Sequence, residues 1–253
     1  MKIKLLSDLH HEWMKKPKIR AQNYFQNNGE DVLVLAGDIA SGSTNVMNSI
    51  KLFKNAGWEK IIYVAGNHEY YGNNMIGFNS GLASKLEGVD NVHFLNPGKV
   101  VIGDTTFIGG TLWTNFRNSP GAAISAQRGI ADFRLIDKFQ PSHAMNLFQR
   151  DFGFIKYAYE ERTTEKVVIV THFLPAVECI SPRFRDPTND LNAYFANDLG
   201  GWIETLDNTT WLFGHTHDTI DITIGSTRLV SNPYGYWGQE VNQEFKPDFI
   251  VEL

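Results

Sequence analysis

Lys2-Ile3-Lys4-Leu5-Leu6-Ser7-Asp8-Leu9-His10 opens the chain with a short apolar run that ends on polar residues. A run of this length, bounded by polar residues, suits a buried strand. The polar tail carries a carboxylate and an imidazole two apart, which an extended segment projects to one side. The same unit recurs. Residues 32–35 run into Ala36-Gly37-Asp38, and residues 61–64 into Ala65-Gly66-Asn67-His68-Glu69. Residues 167–170 run into Thr171-His172, and 211–213 into Gly214-His215-Thr216-His217. Further buried strands are predicted at 100–102 and 106–108, and partly exposed ones at 220–224, 228–230 and 248–253.

Helical spacing falls between several of these runs. Val46, Ile50 and Phe53 recur every three to four residues within 44–56, as do Met145, Phe148, Phe152, Ile155 and Tyr159 within 142–161. Residues 198–206 show a weaker pattern. The front half reads β-α-β and the back half is strand-rich. This predicts a layered α/β fold with a mixed sheet, or with two sheets packed together. Residues 1–253 are expected to form a single domain. One stretch breaks the strand rhythm. Residues 115–165 are polar and helical, with a turn at Asn118-Ser119-Pro120-Gly121, and are expected to form a helical cap insertion over one end.

Composition narrows the function classes. With 42% hydrophobic and 20% charged residues, the chain has the make-up of a soluble globular protein. Its net charge of −5 argues against stable nucleic-acid binding through a broad basic surface. Cys179 is the sole cysteine, so an intramolecular disulfide and a thiolate metal cluster are both ruled out. Asp8 and His10 interrupt the first apolar run too early for a signal peptide, and a membrane-length apolar stretch of about 20 residues is lacking. A cytoplasmic location is expected.

The histidines lie at positions 10, 11, 68, 93, 143, 172, 215 and 217, and five of them fall just beyond predicted strands. Strand ends are where open α/β sheets collect their sites. Asp8 and His10 could share a metal ion, or Asp8 could simply cap a turn. Asp38 follows a glycine and has two oxygens, enough to bridge two cations. Asn67 offers a neutral ligand oxygen, with His68 beside it nearer a substrate. Gly-His-x-His at 214–217 points to metal. His11 and Glu12 read as surface or supporting residues, and His93 and His143 as ordinary surface or packing residues.

Taken in order, Asp-x-His, Gly-Asp, Gly-Asn-His, a lone His and Gly-His-x-His resemble the calcineurin-like metallophosphoesterase superfamily. The likeness runs from Ser7 to His217. It implies a four-layer αββα sandwich, with two mixed sheets flanked by helices and an active site at strand C-terminal ends. It implies Asp8, His10 and His217 on one metal, Asn67, His172 and His215 on a second, and Asp38 bridging both. An activated hydroxide would then attack phosphorus, with His68 assisting the leaving group. Glu69 would orient His68. Donors without thiolate suit Mn²⁺ first, then Fe, Zn²⁺, Co²⁺ or Ni²⁺.

Departures from the family pattern bear on the substrate. The protein serine/threonine phosphatase branch carries Gly-Asp-x-x-Asp-Arg-Gly, where this chain has Gly37-Asp38-Ile39-Ala40-Ser41-Gly42. That branch also has an arginine where Ala65 stands. Two phosphate-clamping arginines are thus missing, and the pattern resembles small bacterial and phage members. The expected substrate is a small phosphodiester or phosphomonoester, a nucleotide among the candidates. Trp113 and Tyr234 could stack on it, and Arg183 and Arg185 could hold a second phosphate. A nuclease and a non-catalytic metal-binding scaffold are the competing readings.

Overall fold

A computed structural model of the chain describes residues 1–186 and 190–253. In chain order the strands are β1 (Lys2–Leu6), β2 (Val32–Ala36), β3 (Ile61–Val64), β4 (Val92–Phe94), β5 (Gly98–Ile102), β6 (Thr105–Gly109) and β7 (Lys166–Val170). They continue with β8 (Thr209–Phe213), β9 (Ile220–Ile224), β10 (Thr227–Ser231), β11 (Gly235–Tyr236), β12 (Glu240–Val241) and β13 (Ile250–Glu252). The helices that matter below are α1 (Ser43–Asn55), α2 (Met75–Leu86), α3 (Pro120–Gly129), α4 (Asp132–Leu135) and α5 (Pro141–Glu160).

Two mixed sheets carry the fold. One has the order β13-β1-β2-β3-β4, the other β5-β6-β7-β8-β10-β9. Strands β1 to β4 are parallel, as are β6, β7, β8 and β10, while β13, β5 and β9 run antiparallel at the edges. Parallel strands buried on both faces need side chains that are apolar throughout. Val32-Leu33-Val34-Leu35-Ala36 meets that requirement, and all five residues are buried.

Strand alternation then distributes these side chains between layers. Ile3, Leu5, Val32, Val34, Ile62 and Val64 face Phe107, Val168, Val170, Leu212 and Val230 in a core between the sheets. Leu33, Leu35, Ile61 and Tyr63 point the other way, against Val46, Ile50 and Phe53 of α1 and Phe78 and Leu82 of α2. On the far side Ile169, Trp211 and Leu229 pack on Phe148, Ile155 and Ala158 of α5. The expected αββα sandwich is the result. Truncating a side chain of the inter-sheet core, as in Leu212→Ala, costs about 2–5 kcal/mol.

Residues 115–165 divide into two parts. The long helix α5 is itself the outer layer of the second sheet, because its apolar face is that sheet's cover. Only the α3–α4 junction, residues 129–132, reaches the cavity described below. Residues 198–206 yield a single helical turn, Gly200–Ile203. Among the elements not foreseen are α2 and β4. Helix α2 carries Gly77 and Gly81, which dilute its apolar periodicity, and β4 is three half-buried residues long.

Candidate metal centre

The parallel strands β1, β2, β3, β7 and β8 deliver their C-terminal ends to one edge of the sandwich. The loops there are tightly wound. Asp8, His10, Asp38, His215 and His217 all adopt left-handed backbone conformations, with φ of 52°, 44°, 53°, 68° and 52°. Such conformations cost of order 1–3 kcal/mol each and persist only where the surroundings enforce them. Here the enforcement is visible. Asp8 N–H donates to Gly37 O, His10 N–H to Asp38 O and His11 N–H to Ile39 O, each at 3.0 Å. Glu69 ties the second and third loops together, accepting from Asp38 N at 3.0 Å, Ile39 N at 2.9 Å and Gly66 N at 2.9 Å. Gly66 must be glycine, since a Cβ there would overlap the Asp38 carboxylate and the His172 ring.

These loops converge seven candidate ligand side chains. His10 Nε2 lies 3.4 Å from His217 Nε2, and His217 Nε2 lies 3.5 Å from Asp8 Oδ1. On the other side His172 Nε2 lies 3.1 Å from Asn67 Oδ1. Asp38 stands between, with Oδ1 3.5 Å from His172 and Oδ2 3.7 Å from His10. Asp8, His10 and His217 could therefore hold one cation, and Asp38, His172 and His215 another.

The donor chemistry fits divalent metal. His172 Nδ1 contacts Ala36 O at 2.9 Å, so that nitrogen carries the proton and Nε2 faces the centre. His10 does the same through Nδ1 and Glu12 Oε1 at 3.2 Å. Among the described residues, His215 Nε2 is buried without a hydrogen-bond partner. A buried polar atom left unpaired costs about 1–3 kcal/mol, and a cation would remove that cost.

Without a cation, protons carry the positive charge. Burial pulls the His172 ring down, but Asp38 beside it prevails and lifts it to about 9. Burial likewise opposes charge on His217, yet its contacts to Asp8 and Glu240 raise it to about 10. Burial and then the charge on His172 push His215 well below its ordinary value, leaving it neutral. For His68, burial is outweighed by Asp38 and Glu12, and its pKa rises.

His68 sits beside the cluster. Its backbone N–H donates to Asp38 Oδ1 at 2.9 Å, Nδ1 lies 3.4 Å from Glu12 Oε1, and Nε2 lies 3.0 Å from the Tyr236 hydroxyl. Tyr71 lies against the ring with centroids 4.2 Å apart. The acid against His68 is thus Glu12, while Glu69 spends its oxygens on loop N–H groups and on the Tyr63 hydroxyl. His11, read as surface or supporting, is a core residue bonded to Ser49 Oγ and Tyr24 OH.

Residues 1–219 match the family model for calcineurin-like phosphoesterases. The chain belongs to that family. A mimivirus protein of Acanthamoeba polyphaga mimivirus, named only as uncharacterized protein L509, is 28% identical across 99% of this chain and 96% of its own. The fold is shared with a phosphopantetheinyl hydrolase from Mycobacterium tuberculosis, at 17% identity and a TM-score of 0.75, covering 100% of this chain and 95% of that one. It is shared also with a dimetal phosphatase from Danio rerio, at 12% identity and a TM-score of 0.56, covering 91% and 86%.

Above its His/Asp cluster this calcineurin-like phosphoesterase has a cavity of about 410 Å³. Asp38, Asn67, His68, His215 and His217 form its floor, and Ile130, Leu174, Ile180, Phe184 and Phe195 give it an apolar wall. Three of the four expected substrate contacts lie elsewhere. Trp113 is buried among Tyr70, Phe139 and Phe173, and Tyr234 packs on Tyr24 and Phe245. Their large apolar rings serve the outer core instead. Arg185 bonds the carbonyls of Ile180 and Glu178, away from the cavity. Arg183 does line the cavity, but Asp218 and Glu240 hold its guanidinium at 2.7 and 3.0 Å. Sequence reading missed Tyr71, Asp132, Tyr194 and Tyr236, which line the cavity from outside the five motifs.

Proposed function

We propose that the chain hydrolyses small phosphodiesters or phosphomonoesters at two divalent cations. Asp8, His10 and His217 would hold one, Asn67, His172 and His215 the other, and Asp38 would be shared. The observation that carries this reading is the division of Asp38, whose two oxygens each face a different ligand set. Bound there, the cations would supply Lewis-acid charge to phosphoryl oxygens and acidify water, and Mn²⁺ is the first candidate.

The chain's own residues supply the rest. Against burial, Asp38 and then Glu12 raise the His68 pKa, and Glu12 holds the ring from Nδ1, which favours a proton on Nε2 at the cavity floor beside the Tyr236 hydroxyl. That proton goes to the departing ester oxygen. The apolar wall suits an aliphatic or aromatic ester arm. Among the described residues lining the cavity, Arg183 is the sole Lys or Arg, and two carboxylates neutralise it. The cavity therefore favours a substrate with one phosphate over a polyphosphate. The name of one structural neighbour adds phosphopantetheinyl esters to the substrates worth assaying.

The test is a substrate panel on Mn²⁺-loaded protein, comprising bis-p-nitrophenyl phosphate, p-nitrophenyl phosphate, a phosphopantetheinyl ester, ATP and DNA. Turnover of the single-phosphate esters above ATP and DNA is expected. Preferential cleavage of DNA would replace this reading with a nuclease.

A further inference from the structure

Asp132 opens helix α4, in the segment between the third and fourth motifs, yet its carboxylate is buried at the cavity floor. Three donors converge on it. Asn67 Nδ2 donates to Oδ1 at 3.0 Å, the Tyr71 hydroxyl to Oδ1 at 2.7 Å, and the Tyr194 hydroxyl to Oδ2. These contacts join three separate stretches of chain.

The consequence lies in the amide of Asn67. A side-chain amide has a donor end and an acceptor end of nearly equal shape, and only its partners decide which way it points. An ionised carboxylate only accepts, so Asp132 draws the NH₂ end to itself. The Oδ1 end is then left facing His172 Nε2 and the centre. Turned over, Asn67 would present N–H groups to a cation and repel it. Tyr71 adds a second link, since the ring that donates to Asp132 also lies against His68.

We propose that Asp132 is the positioning residue of the Asn67 ligand: by claiming the amide NH₂, it fixes the amide oxygen toward the second cation. Tyr71 and Tyr194 hold the Asp132 carboxylate in the pose that does this. The inference rests on the reading of Asn67 as a metal ligand. Outer partners of metal ligands typically change metal affinity 10- to 100-fold when removed. Asp132→Leu should therefore weaken one of two Mn²⁺ equivalents by about 10- to 100-fold and leave the other unchanged.

Calorimetric Mn²⁺ titration of metal-stripped wild type, Asp132→Leu, Asp132→Asn, Asn67→Ala and the Asn67→Ala/Asp132→Leu double variant tests this. Circular dichroism reports whether each is folded. Asp132→Asn keeps an acceptor oxygen for Asn67 and should recover most of the lost affinity. In the Asn67→Ala background, Asp132→Leu should cost no further affinity, because its effect passes through the amide. Wild-type affinity for both equivalents in folded Asp132→Leu overturns the inference while leaving the metal centre standing. Additive losses in the double variant overturn it too, and if Asp132→Leu does not fold, Tyr71→Phe and Tyr194→Phe, which remove the hydroxyls that hold Asp132, titrated together still decide it. Unchanged binding by both of those, or by Asn67→Ala, contradicts it, and the last result removes Asn67 as a ligand altogether.

Discussion

Asn67 Oδ1 and His172 Nε2 stand 3.1 Å apart, with His172 Nδ1 already committed to the Ala36 carbonyl. Oxygen and ring nitrogen would face each other as two acceptors unless a proton or a cation lies between them. His10 Nε2 and His217 Nε2 repeat the arrangement at 3.4 Å. At both places a proton and a metal ion are interchangeable.

Metal uptake should therefore release protons. His172 and His217, raised to about 9 and about 10, are charged in the metal-free protein at neutral pH and must lose those protons to ligate. Calorimetry at pH 7 in buffers of different ionisation enthalpy should show net proton release, and Mn²⁺ affinity should climb as pH rises toward 9. Proton-neutral binding would show that these two rings are not ligands.

The same shifts set the stability of the metal-free fold. A histidine whose folded pKa exceeds 6.5 stabilises fully below that pH, and the contribution disappears as pH rises through the folded value. Asp38, held well below 3.8 by His172 and His68 against the effect of burial, contributes above 3.8 and loses its contribution on acidification. Thermal melts of stripped protein should thus fall between pH 7 and pH 10. Metal-loaded protein should lack that alkaline decline, because its rings hold cations in place of protons.

His68 as the proton donor makes a leaving-group prediction. Loss of a general acid costs about 10²–10⁴ in rate where the leaving group needs a proton. His68→Ala should lose that much on an alkyl ester and far less on p-nitrophenyl esters, whose phenolate leaves unaided. Glu12→Gln should follow the same pattern more weakly and lower the apparent pKa of the acidic partner in the rate profile, because Glu12 helps keep His68 charged. Equal losses on both ester types would assign His68 a role other than proton donation.

Gly66→Ala probes the loop packing. Its Cβ would press on both the Asp38 carboxylate and the His172 ring, which sit at the heart of the centre. Overpacking of this kind costs about 1–3 kcal/mol. The variant should melt earlier and lose metal, measured by scanning calorimetry and elemental analysis. Full metal content would mean the loops are looser than their hydrogen bonds indicate.

Much of this architecture was legible in the chain because strands buried on both faces must be apolar throughout. Val32-Leu33-Val34-Leu35 and Val167-Val168-Ile169-Val170 declare themselves that way, and the polar residues after them mark the strand ends. The seven candidate ligands and His68 follow from those ends, and the structure brings all of them to one edge. Helix α2 stayed hidden because glycines interrupt its apolar face. Trp113 and Tyr234 misled because position after a strand says nothing about which layer an aromatic ring enters. Asp132 and Tyr236 were invisible for the opposite reason. Their importance comes from contacts across 65 and 168 residues of chain, which local spacing does not register.

The most direct test of the account is the rate of bis-p-nitrophenyl phosphate hydrolysis by metal-stripped protein as Mn²⁺ is added, with bound metal counted at each step. The account predicts negligible turnover without metal, rising to a plateau as bound metal reaches two ions per chain, and loss of the plateau in Asp38→Asn. Turnover that survives stripping, or that saturates at a single ion and persists in Asp38→Asn, would contradict it.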